Sequence, residues 1–203
     1  MTSFLLVRHG THDLINTTIT GRMAGVHLNE TGRAEAECLA EQLSSLPIRQ
    51  IYCGPLERAR ETAEPLGGRL KVPVQIEAKF NEVEVGEWTG HTFQELAPRQ
   101  DWQNWNQFRS NAAAPGGERM LEVQLRALGA LATMHTQQQG LTAIFTHGDV
   151  IRSIIAYYLG IPLDLFLRIS IDPVSVTFLQ LYDASVSVRC VNATGAAAAL
   201  RAQ

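Results

Sequence analysis

The sequence predicts an α/β fold: a three-layer sandwich in which a mostly parallel central sheet carries helices on both faces, with an insertion of loops and short helices. Three observations support this. The apolar run Phe4 to Val7 is continuous, the pattern of a strand buried on both faces. Strand-like and helix-like segments alternate from residue 4 to residue 78, which implies crossovers joining parallel strands. Two distant apolar runs, "FLLV" and "LTAIF", each end one residue before a His-Gly pair.

After the first strand, a helix is predicted from Asn29, whose side chain suits a cap, to Leu46, with Pro47 just beyond its end. "IRQIYCG" (48–54) reads as a second strand. Pro55 leads into the charged helical stretch "LERARETAEPL", and "VPVQIEA" (72–78) is a third short strand. Residues 79–117 differ in texture. They hold all three tryptophans, several Gln and Asn, and the turn "APGG", and they read as an insertion within a single domain spanning residues 1–203. Glu118 to His135 shows helical periodicity through Leu121, Leu125, Leu128 and Leu131. "LTAIFTHG" is the next strand, "DVIRSIIAYYLG" a helix, and "VSVTFLQLYD" a late strand pairing with "SVSVRCV". The tail, about 192–203, is low in complexity and is expected to fray.

With 203 residues, 45% of them hydrophobic and 18% charged, the chain can bury a substantial core. Its net charge of −3 provides no global field for nucleic acid or acidic membranes, so any bound anion must be held by a few local arginines. Cys38, Cys53 and Cys190 are an odd set without paired spacing, as expected of reduced thiols in the cytoplasm. The Phe4–Val7 run is too short for a signal-peptide core, and no stretch approaches the length of a membrane span.

Ligands of open parallel sheets bind outside the carboxyl ends of the strands, so His9 and His147 are expected at one edge. Gly10 and Gly148 would let the backbone turn tightly and approach a ligand. Asp149 is a candidate cap for the following helix, leaving the amides around Gly148 to face an anion. Arg8 adds a planar donor that matches a phosphate face. Arg58 falls in the first turn of a helix, where its charge and the positive helix end reinforce each other. Two histidines and two arginines converging in a chain of net charge −3 describe a phosphoryl site.

"LLVRHG", "YCGPLERARETA", "FNEVEVGEWTG", "PGGE" and "FTHGDVIR" occur in an order and spacing that resemble the histidine phosphatase superfamily, also called phosphoglycerate mutase-like. The resemblance covers residues 3–182 and is closest to its small bacterial phosphatase branch. It implies a cytoplasmic hydrolase of a small phosphomonoester, without cofactor or metal, a monomer or homodimer, with the insertion over the active site. His9 would take the phosphoryl group on an imidazole nitrogen. Arg8, Arg58 and His147, protonated once phosphate is bound, would hold the equatorial oxygens beside Gly148. Glu82 matches the acid that protonates the leaving alcohol and then activates water. Glu84 and Glu87 are near rivals, and the register against Gly86 and Trp88 selects Glu82.

The chain departs from the family pattern in places. Thr11 and His12 follow Gly10 where the family usually has Glu-Thr. An Asn often found six residues after the nucleophile falls on Ile15, and the adjacent Asn16 is its candidate substitute. Cys53 replaces a frequent serine. His12 is a candidate pocket residue. Arg22, in "TGRMAG", is either a contact for a substrate carboxylate or second phosphate, or a solvated loop arginine. Arg152 reads as an ion-pair partner, His27, His91 and His135 as surface residues, and Trp88 as a brace for the Glu82 loop.

A cysteine-dependent phosphatase needs five residues between its Cys and Arg, whereas four separate Cys53 from Arg58. A metallophosphatase would need Asp/Asn/His clusters beyond His147-Gly-Asp149. A mutase is the alternative within the family. It must shield phosphohistidine from water, and the modest insertion and short "PGGE" turn favour hydrolysis instead. A non-catalytic phospho-ligand binding protein is the remaining alternative.

Overall fold

The first apolar run forms β1 (Thr2–Arg8), and its alternate residues feed two different cores. The computed structural model describes residues 1–137 and 139–194. Five further strands complete the sheet: β2 (Ile48–Cys53), β3 (Val74–Ile76), β4 (Gly140–Thr146), β5 (Val176–Leu181) and β6 (Val186–Ala193). Their order is β3-β2-β4-β1-β5-β6. The pairs β1/β4, β2/β4 and β2/β3 are parallel, whereas β5 runs antiparallel to both β1 and β6. The sheet is therefore mostly parallel with an antiparallel margin. The late pairing of β5 with β6 is as expected.

Helices α1 (Glu30–Leu43) and α2 (Glu57–Leu70) cover one face, and α5 (Met120–Gln137) and α6 (Gly148–Leu159) the other. Leu5 and Val7 pack with Leu39, Leu43, Ala63 and Leu66 on the first face. Phe4 and Leu6 pack with Val123, Leu131, Ile151 and Ile155 on the second. This is the period-two alternation of a strand with helices on both sides. Asn29 caps α1 by accepting from Gly32 N at 2.9 Å, and the helix ends at Leu43, three residues short of Leu46. Helix α2 runs on through Pro65 to Leu70.

Helix α5 forms where its periodicity predicts, but only part of the leucine stripe, Leu128 and Leu131, lies on its buried face. Leu121 and Leu125 are 44% and 61% exposed, while Val123, Ala127, Ala130, Leu131 and Met134 pack inward. The insertion contains α3 (Phe93–Leu96), α4 (Gln100–Gln107) and short 3₁₀ turns at Ala78–Phe80 and Gly86–Trp88. Trp88 meets Trp102 and Trp105 edge-on at ring centroid distances of 5.3 and 5.4 Å. Trp88 and Trp105 join the α5/α6 core. Of the tail expected to fray, Asn192 and Ala193 close β6 instead, and residues 195–203 lie outside the described residues. No helix among the described residues is long and apolar enough to cross a membrane.

Candidate active site

The parallel register of β1 and β4 sets Arg8 opposite Thr146, so the next residue of each strand, His9 and His147, emerges side by side. His9 N donates to Thr146 O at 2.9 Å, and the two imidazole centroids are 5.2 Å apart. His9 Nδ1 lies 2.8 Å from Gly10 O. A carbonyl only accepts, so this contact puts the proton on Nδ1 and leaves the Nε2 lone pair available. Burial, then the charges of Arg58 and Arg8, hold His9 well below the usual histidine range, and burial and Arg58 do the same for His147. Both rings are neutral bases.

Of the two loop glycines, Gly10 alone serves a close approach. Neither Gly10 nor Gly148 is among the glycines with positive φ. A Cβ on Gly10 would stand 2.9 Å from Gly32 O, so the loop after β1 lies directly on the start of α1. A Cβ on Gly148 would make only ordinary contacts with Arg8 and Arg152 side chains. The glycine with the closest fit near the second histidine is Gly54, after β2. A Cβ there would be 2.7 Å from Phe80 O and 3.4 Å from His147 Nε2.

Arg58 lies buried in the first turn of α2, with Nη2 donating to Gly21 O at 2.7 Å. Its Nε and Nη1, Arg8 Nε and both ring nitrogens of His147 are buried without a hydrogen-bond partner. Arg8 Nη1 is anchored on Ile171 O at 2.7 Å. Buried donors are normally satisfied, so unpartnered ones gathered at one strand edge mark a place suited to an anion. Thr62 Oγ1 ties the two sides together: it accepts from Gly10 N at 3.0 Å and donates to Arg58 O at 2.6 Å.

Glu82 reaches the same place from the insertion. Its Oε2 is 3.6 Å from His147 Nδ1, and its Oε1 accepts from Val83 N at 2.9 Å. Burial, then the charge of Asp149, push its carboxyl up to about 7 against the opposing pull of Arg58. Of the rivals, Glu84 turns to Gly86 N and Arg22, and Glu87 is exposed. Glu82 is the carboxylate of the three that lines the cleft.

The cleft encloses about 280 Å³. His9, His12, Asn16, Gly148 and Arg8 line it, as does Ile15. His12 is buried with its ring centroid 5.2 Å from His9 and its Nδ1 unpartnered. Burial and then Arg58 lower it to about 4, so it too is a neutral donor and acceptor. Thr11 turns away, with its N and Oγ1 donating to Glu35 of α1 at 2.9 and 3.0 Å. Asn16 adopts a left-handed φ of 61°, which Asn tolerates better than most residues. Arg22 is not in the cleft lining. It donates to Glu82 O at 2.9 Å and to Glu118 at 2.7 Å, so it is neither a cleft residue nor a free loop arginine.

Asp149 does not cap α6. The backbone of His147 occupies the cap position without a side-chain bond, and the Asp149 carboxylate binds two arginines instead. Its oxygens accept from Arg152 Nη1 at 2.7 Å and from Arg109 Nη1 at 3.2 Å. Arg109 is a cleft residue that sequence reasoning missed. Its guanidinium covers the Trp105 ring, 3.1 Å from the centroid, and Nη2 donates to Asn106 at 2.9 Å. The one local signal was the four-residue spacing of Trp105 and Arg109, although Arg109 lies in the turn just beyond the end of α4. Arg152 is an ion-pair partner as read, and it also lines the cleft.

Fold and site together define an α/β protein that gathers histidines, arginines and one protonatable carboxyl at the carboxyl ends of its parallel strands. The family model of the histidine phosphatase superfamily (branch 1) matches residues 4–194, and the chain belongs to this family. A glucosyl-3-phosphoglycerate phosphatase of Mycolicibacterium vanbaalenii is 31% identical over 176 residues, covering 79% of this chain and 75% of the relative. A 2,3-bisphosphoglycerate-dependent phosphoglycerate mutase of Thermoplasma acidophilum is 23% identical, over 87% of this chain and 86% of that one. Some mycobacterial relatives are longer, and the chain spans 54% of their length. Among solved structures, mycobacterial glucosyl-3-phosphoglycerate phosphatase complexed with VO3 superposes with a TM-score of 0.87. It is 23% identical, covers 96% of this chain and 100% of that one, and so speaks to the fold.

Proposed function

We propose that this chain is a phosphomonoester hydrolase acting on a small phosphorylated metabolite through a phosphohistidine on His9. The observation that carries this is the His9 ring, buried and neutral, with Nδ1 engaged by Gly10 O and Nε2 left as the nucleophile. Nε2 attacks phosphorus, and the N–P bond forms as the bond to the leaving oxygen breaks. Glu82 gives its proton to that oxygen, which departs as the alcohol. Water then attacks phosphorus while the Glu82 carboxylate takes its proton. The N–P bond breaks, and phosphate and neutral His9 are restored.

Arg8, Arg58 and the Gly148 amide hold the phosphoryl oxygens through both steps, and His147 joins them once the phosphate dianion restores its proton. His12 and Asn16 contact the alcohol portion. Arg22 belongs to the support of Glu82 rather than to substrate. The unpaired cysteines fit a cytoplasmic enzyme.

The similarity to the Thermoplasma mutase supports a second reading, a phosphoglycerate-type mutase. A panel of phosphometabolites including 3-phosphoglycerate separates the readings. Free phosphate supports the hydrolase, an isomerised phosphoglycerate the mutase, and binding without turnover a phospho-ligand sensor.

A further inference from the structure

The Glu82 acid sits on irregular chain between two 3₁₀ turns, where backbone hydrogen bonding alone does not fix it. It is instead pinned at alternate residues. Phe80 O accepts from Thr146 Oγ1 at 2.8 Å, next to His147. Glu82 O accepts from two guanidinium groups, Arg22 Nε at 2.9 Å and Arg126 Nη2 at 3.0 Å. Glu84 O accepts from Glu118 N at 2.8 Å, and Glu84 N donates to Glu118 Oε2 at 3.0 Å. Two cations converging on one carbonyl repel each other unless an anion lies between them. That anion is Glu118, which takes Arg22 Nη2 at 2.7 Å, Arg126 Nε at 3.1 Å and Arg126 Nη2 at 3.1 Å.

The "PGGE" turn delivers Glu118 to this point. A Cβ on Gly117 would be 2.3 Å from Glu84 O, and one on Gly86 would be 2.1 Å from Pro115 O, so the two segments meet backbone to backbone. The same cluster reaches the phosphoryl side, because Arg58 Nη2 holds the carbonyl of Gly21, the residue before Arg22.

We infer that Glu118, with Arg22 and Arg126, is a positioning residue: its carboxylate keeps both arginines on the Glu82 carbonyl and so aims the Glu82 carboxyl at the leaving oxygen. This rests on the reading of Glu82 as the general acid. It gives a role to "PGGE" and "TGR" that does not involve touching substrate.

The test compares Glu118→Gln and Glu82→Gln in the full chain, on an alkyl phosphomonoester and on p-nitrophenyl phosphate, whose leaving group scarcely needs a proton. Glu118→Gln should lower kcat for the alkyl ester about tenfold, as expected when a catalytic group is slightly misplaced, while KM for both substrates and kcat for p-nitrophenyl phosphate stay within about twofold. Glu118→Asp, which keeps the charge, should recover part of the loss. If Glu118→Gln compromises folding by thermal melt, Arg22→Gln, which removes one donor to the Glu82 carbonyl, should show the same selective loss. Equal losses on both esters, or no loss on either, would overturn the positioning role while Glu82→Gln still shows the selective defect. A Glu82→Gln variant without selectivity would instead overturn the acid reading, and this inference with it.

Discussion

Glu82 Oε2 and His147 Nδ1 stand 3.6 Å apart, a carboxyl raised to about 7 beside an imidazole held well below its usual range. The two shifts share a cause. Burial penalises charge on either group, so the pair favours a protonated acid beside a neutral ring at neutral pH.

Activity on alkyl phosphates should therefore fall as pH rises through about 7, where Glu82 loses its proton, and Glu82→Gln should remove that limb of the profile. Stability follows the same sign. A carboxyl whose folded pKa lies above its unfolded value contributes stability that is complete below the unfolded pKa and lost as pH rises through the folded one. Thermal melts should show Glu82→Gln gaining on the parent chain between pH 5 and pH 8. A constant difference across that range would contradict the shift.

Gly54→Ala would drive a Cβ to 2.7 Å from Phe80 O. Backbone has to move, so the melt should show a loss of about 1–3 kcal/mol. Because the same Cβ would lie 3.4 Å from His147 Nε2, kcat/KM should fall with p-nitrophenyl phosphate as well as with alkyl esters. Unchanged melting would refute the packing.

Asp149→Asn removes the anion between Arg109 and Arg152 and leaves the Arg109 guanidinium buried without its ion pair. Breaking such a pair from one side costs about 3–5 kcal/mol, which denaturant unfolding would detect. A loss below about 1 kcal/mol would mean that Trp105 and Asn106 alone hold Arg109.

His12→Thr restores a residue usual in the family at the cleft wall. It should reorder preferences across a phosphometabolite panel through KM while leaving turnover of p-nitrophenyl phosphate within about tenfold, since the proposed phosphoryl steps do not use His12. An unchanged panel would place substrate choice elsewhere in the cleft.

Much of this was legible because the relevant signals are local. Continuous apolar runs ending at His9 and His147 are backbone features, and the β1/β4 register does the rest. What was not legible depends on partners remote in sequence. Arg22 meets Glu118 96 residues away, and a lone arginine in a glycine-containing loop looks the same whether it faces substrate or a carboxylate. Asp149 looked like a helix cap because Asp is a common one, yet Arg109, 40 residues upstream, takes its side chain. The leucine stripe of α5 misled for a related reason. Leu131 is buried and Leu128 half-buried while Leu121 and Leu125 are exposed, because the face that the sheet and α6 cover is fixed by tertiary packing, which leucine spacing alone does not report.

The phosphohistidine intermediate on His9 is open to direct observation. Turnover of a phosphomonoester should be stopped in alkaline detergent, and the chain digested and mapped by mass spectrometry without exposure to acid. A phosphoryl group is expected on the peptide containing His9, released by mild acid, with both the adduct and turnover absent in His9→Ala. Turnover that persists in His9→Ala, or proceeds in the parent chain without any phosphoryl group on His9, would contradict it.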